Sequence, residues 1–90
     1  MTDHAYTDDD LRAEAAHQVS SKAAAHVLWH ERLGGYEPGS FVKKLLALWA
    51  WADDENAARL TASWPEYGAA IALMKQPNGA AELRAIAERL

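Results

Sequence analysis

Gly39-Ser40-Phe41-Val42-Lys43-Lys44-Leu45-Leu46-Ala47-Leu48-Trp49-Ala50-Trp51-Ala52 is the stretch on which the fold turns. Its apolar residues recur at three- and four-residue spacing, the period of an α-helix and not the two-residue period of a strand. A helix through it puts Phe41, Val42, Leu45, Leu48, Trp49 and Ala52 on one inward face. Lys43, Ala47 and Ala50 then point outward, and Leu46 and Trp51 fall on the margins. Just upstream, Gly34-Gly35-Tyr36-Glu37-Pro38-Gly39 is dense in helix breakers. Either Pro38 takes the first helical position or Ser40 caps the helix.

Working downstream, Asp53 and Asp54 open a short third helix, with Asn56 placed to receive the Asp53 cap. Ala57, Leu60 and Trp64 repeat along it at helical spacing. Pro65 breaks the chain at Trp64, because the residue before proline avoids the α region, and it begins a fourth helix to about Gln76. Tyr67, Ala70, Ile71 and Met74 are its inward residues. Pro77-Asn78-Gly79 interrupts again, and a last helix from about Ala80 to Leu90 buries Leu83, Ile86 and Leu90.

Working upstream, Thr7 before Asp8, Asp9 and Asp10 has the form of a capping box, and Tyr6 and Leu11 are spaced as a staple across it. Leu11, Ala15, Val19, His26, Trp29 and Leu33 then form one apolar stripe, ended by Gly34-Gly35. That is a helix of about 26 residues, ~39 Å long at 1.5 Å per residue, with room for a bend near Ser20-Ser21. Ala24, Val27 and Leu28 point away from the stripe and give the helix a second apolar side. The expected fold is all-α: a compact bundle of four to five helices with a long N-terminal helix. It forms a single domain over residues 1–90, with residues 1–6 frayed.

Composition narrows the function classes. The chain has 90 residues, half of them apolar, and 20 of those are alanine, so large core-forming side chains are few. The absence of cysteine excludes disulfides, thiolate chemistry and cysteine-bound zinc. A net charge of −4 argues against a broad phosphate-binding surface. No apolar run approaches the ~20 residues that span a bilayer, and no signal-peptide pattern opens the chain. A cytoplasmic protein with no membrane attachment is expected.

The order Trp29 to Phe41, then Ala52-Asp53, Asn56, Arg59-Leu60 and Trp64-Pro65, resembles a family of small bacteriophage and prophage proteins of unknown function. That family's pattern runs from a Gly-aromatic turn to Gly-Ser-Phe, through a helix ending in Ala-Asp, to Asn-x-x-Arg-Leu and an aromatic-Pro pair. Trp64 stands here where the family has Phe, and Trp49-Ala50-Trp51 is more aromatic than the pattern. The resemblance covers about residues 29–70. It implies a helical fold and a phage setting, hence the host bacterial cytoplasm, and carries no activity.

Motifs for chemistry are sparse. His26 and His30 are four apart on a helix, a spacing at which two imidazoles share a metal, but the spacing offers no third ligand. A hydrogen-bonded core histidine is the commoner state for a residue in the middle of an apolar stripe. Serines lie at caps and junctions, and the paired acids Asp8-Asp9-Asp10 and Asp53-Asp54-Glu55 sit at helix starts, so no enzyme, catalytic residue or cofactor is expected. Residues 56–76 have a helix-turn-helix outline, yet the would-be recognition helix opens Pro65-Glu66-Tyr67-Gly68, with no base-reading side chain. A small DNA-binding regulator is therefore the second reading. The first is an accessory protein acting through protein–protein binding, by way of Ala24, Val27, Leu28, Trp51 and Tyr36. Its expected partner is a second copy, making a homodimer, or a bacterial host protein.

Overall fold

Ser20 lies in extended backbone (φ −77°, ψ 157°), and its hydroxyl accepts a 3.0 Å hydrogen bond from the Ala23 amide, which starts the first helix. The computed structural model describes residues 19–89. Helix α1 spans Ser21–His30. Within the described residues the helix begins at Ser21, at the Ser20-Ser21 point where a bend was expected, and the Ser20 hydroxyl is its cap. The Thr7 cap, the Tyr6–Leu11 staple, the frayed residues 1–6 and the upstream part of the long helix lie outside the described residues, as does Leu90.

Helix α1 ends at His30, three residues before the expected Leu33. The Leu33 amide donates to Leu28 O at 2.9 Å and the Arg32 amide to Trp29 O at 3.0 Å, the paired bonds of a Schellman motif. Arg32 itself takes the left-handed position at φ 62°. Gly35 serves a different purpose. At φ +71° it passes so close to α1 that a Cβ there would lie 1.9 Å from the Ala25 carbonyl oxygen. The Arg84 guanidinium then donates two hydrogen bonds to Leu33 O, at 2.9 and 3.1 Å, and ties this turn to the last helix.

Helix α2 spans Ser40–Trp51, and its cap is Gly39, so Ser40 is its first residue and Pro38 precedes it. Asp53 caps α3 (Asp54–Ser63) by accepting from the Asn56 amide at 2.8 Å, as its position in the sequence indicated. Trp64, at φ −130° and ψ 72°, is the single joint between α3 and α4 (Pro65–Met74). Gly68 lets those two helices approach, since a Cβ there would meet the Thr61 side chain at 2.7 Å. Helix α5 spans Gly79–Ala87. Among the described residues there are five helices and no strand, and they share one core.

Helix α1 is the axis of that core. It packs against α5, α4 and α2, and every residue from Ala23 to Leu28 is buried. A helix surrounded on three sides is apolar nearly all round, which explains its alanine-rich sequence. This corrects the expected faces. Ala24, Val27 and Leu28 are interior, whereas Trp29 and Leu33 of the presumed core stripe are each more than a third exposed. Leu45, Leu46, Trp49, Tyr67, Leu73, Leu83 and Ile86 complete the core.

Candidate functional site

Helix α2 carries more apolar side chains than one face can bury. Leu45, Leu46 and Trp49 turn into the core, so the helix is rotated relative to the expected face. Leu46 moves from margin to interior, and Phe41 and Leu48, expected inside, come out. Phe41 is 64% exposed, Leu48 58% and Trp51 89%. At 100° per residue these three and Lys44 lie within about 80° of one another around the helix. They form a continuous apolar strip with one ammonium group among them.

Helix α3 extends the strip sideways. It has no buried residue, but Ala57, Leu60 and Trp64 lean against the core. The Phe41 and Trp64 rings are 6.0 Å apart at 50°, which braces the start of the strip. Leu48, Trp51 and Ala52 of the α2 side and Asn56, Arg59 and Leu60 of α3 enclose a groove of about 370 Å³. Arg59, which lines the groove, pairs with Glu55 one turn back at 2.9 Å. The face therefore has an apolar floor, one cation in its strip and acids (Asp53, Asp54, Glu55) at its far end.

Of the residues expected to bind a partner, the structure brings Trp51 to this face and places Tyr36 in the α1–α2 turn, half exposed. Ala24, Val27 and Leu28 belong to neither, being closed off within the chain. Phe41 and Leu48 were missed. The unbroken apolar run Leu45–Ala52 exceeds the arc of any single buried face, but it does not say which of its residues stay outside, and Phe41 lies before it.

The histidine pair is divided between two environments. His26 is buried, with Nδ1 2.8 Å from the Tyr67 hydroxyl, its ring stacked on Tyr67 and edge-on to Tyr36 at 5.2 Å. Burial holds the imidazole below its ordinary value of 6.5, and the nearby Lys22 charge adds to the effect. The same burial, with Glu66 and Tyr36 beside it, pushes the Tyr67 hydroxyl above 10.0. His30 is only partly buried. Among the described residues no three His, Cys, Asp or Glu side chains gather as a metal site. His26 is a core histidine with a hydroxyl partner.

On the opposite side of α2, Lys43 pairs with Glu37 and lies 5.4 Å from the centre of the Trp29 ring. At the start of the would-be reading helix α4, Tyr67 and Gly68 are buried, and the exposed residues there are Pro65 and Glu66. No helix among the described residues is long and apolar enough to cross a membrane. No protein family matches the chain, and no curated protein or solved structure is significantly similar to it.

Proposed function

We propose that this chain is a non-catalytic accessory protein, phage-type in setting, that acts by binding another protein through the α2–α3 face. The observation that carries the reading is the exposure of Phe41, Leu48 and Trp51 as one strip beside an apolar groove. Large contiguous apolar patches are uncommon on the surfaces of soluble monomers and mark contact surfaces. Aromatic anchors beside a concave floor are the side chains that dominate binding energy at such contacts. The resemblance of residues 29–70 to small phage proteins supplies the setting, a bacterial host cytoplasm. The partner is a second copy of the chain or a host protein.

DNA binding is the competing reading, and one experiment separates the two. Tagged wild type and a Trp51→Ala variant are each passed through host lysate, sedimented alone, and titrated against duplex DNA at two salt concentrations. Self-association or a retained protein, either one lost in Trp51→Ala, supports protein binding. A salt-steep DNA shift unaffected by Trp51→Ala would replace this reading with the regulator.

A further inference from the structure

We infer that the occupant of the α2–α3 face is a second copy of this chain, docked across a two-fold axis with the α2 helices antiparallel and crossing near Leu48. This rests on the protein-binding reading and names its partner. Phe41 precedes Leu48 by seven residues, roughly 10 Å along the axis. In an antiparallel pair, Phe41 of one copy therefore lies about 10 Å past Leu48 of the other, beyond the end of α2 at Trp51. The 370 Å³ groove lies alongside the stretch between, from Leu48 to Ala52 on one wall and from Asn56 to Leu60 on the other. The two-fold axis lays each strip over the other, so one patch serves both sides.

Charge fixes the direction. Lys44 and Asp54 are exposed and take part in neither of the ion pairs formed among the described residues. Lys44 precedes Leu48 by four residues, roughly 6 Å, so across the axis it faces Ala52 and the Asp53–Asp54 end of the other copy. A parallel pair would instead set Lys44 against Lys44.

The area is sufficient for a reversible dimer. The exposed parts of two copies each of Phe41, Leu48 and Trp51 sum to on the order of 1,000 Å², the lower bound of a specific interface. Trp64 already holds Phe41 in place, which lowers the ordering cost of docking.

Sedimentation equilibrium of the full chain, from low to several hundred micromolar, tests the proposal. The wild type is expected to pass from 9.9 kDa to twice that mass with a dissociation constant in the tens of micromolar. Lys44→Glu and Asp54→Lys should each weaken the dimer by about fivefold, and the double variant should return to within about twofold of wild type. Circular dichroism confirms that each variant is folded. A 9.9 kDa monomer throughout overturns the dimer, as does a double variant no better than the singles. If that monomer still retains a lysate protein through Trp51, the binding reading survives and only the second copy is excluded. If it retains none, both fall.

Discussion

Nδ1 of His26 lies 2.8 Å from the hydroxyl of Tyr67, joining the central helix α1 to the first turn of α4 across 41 residues of sequence. The bond is buried, so it has no competing water and each partner depends on the other. With the imidazole protonated at Nε2, Tyr67 donates to Nδ1; a second proton on the ring would reverse the bond and place a charge in the core. The stacked rings and the edge of Tyr36 complete the enclosure. Two phenols and one imidazole thus lock the α1–α2 turn and the α3–α4 joint onto the same helix.

Removing the hydroxyl isolates this bond. Tyr67→Phe keeps the ring and its stacking but leaves Nδ1 without its partner, at a cost of about 1–3 kcal/mol. Chemical denaturation of the two proteins at pH 7 reads the difference directly. Equal midpoints and slopes would mean that the hydrogen bond contributes nothing net.

The imidazole sets an acid limit. Its folded value lies below the unfolded 6.5, so it is neutral in both states above that pH and its contribution is complete there. As pH falls below 6.5 the unfolded chain binds the proton first, and stability declines until the folded value is reached. Tyr67, raised above 10.0, works oppositely: stability declines as pH rises past 10. Melting curves from pH 7.5 to 5 should show the acid decline in wild type and a shallower one in His26→Phe. A variant as steep as wild type would remove His26 from the account.

Leu28 distinguishes interior from interface. It is 1% exposed, so Leu28→Glu places a carboxylate in the core and should cost several kcal/mol, abolishing the cooperative melt. Trp49→Ala should cost about 3–5 kcal/mol by leaving a cavity between α2 and the core. Lys43→Ala loses an exposed ion pair and a cation–π contact, about 0.5–1.5 kcal/mol together. A Leu28→Glu protein melting like wild type would show α1 to be rotated from its described position.

The first helix start is tested at one atom. Ser20→Ala removes the oxygen that receives the Ala23 amide and should lower stability by about 1 kcal/mol, within the usual range for a cap. Ser21→Ala, one residue on, makes no such bond and serves as the comparison. Loss in Ser21→Ala and none in Ser20→Ala would move the cap.

Local chemistry was legible in the sequence wherever one residue decides it. The Asp53 cap received at Asn56, Pro65 as the first residue of α4, and Leu83 and Ile86 turned inward all follow from side-chain type and spacing alone. Rotation about a helix axis was not legible where apolar residues outnumber the places to bury them. On α2, Leu46 and Leu48 are equally apolar and two apart, and only the positions of α1 and α3 decide which is covered. On α1 the same ambiguity left the expectation half right: Val19 and His26 of the expected stripe are buried, but so are the alanines packed against three helices, while the larger Trp29 is left at the edge. The Gly34-Gly35 pair pointed to the turn, but the left-handed residue that ends α1 is Arg32, because the Schellman bonds form two residues sooner. The candidate face inherits these limits. Trp51 was recognisable as surplus from its place on the helix margin, whereas Phe41 and Leu48 required the fold.

The most direct test of the account is the melting temperature of wild type and Leu48→Glu, each measured over a hundredfold range of protein concentration. Leu48 is 58% exposed and lies outside the core. Wild type should therefore melt higher as concentration rises, since association stabilises the folded chain by mass action. Leu48→Glu should melt at the dilute wild-type temperature at every concentration. A Leu48→Glu variant that melts far below dilute wild type would place Leu48 in the core, and a wild type with no concentration dependence would leave the face without its second copy.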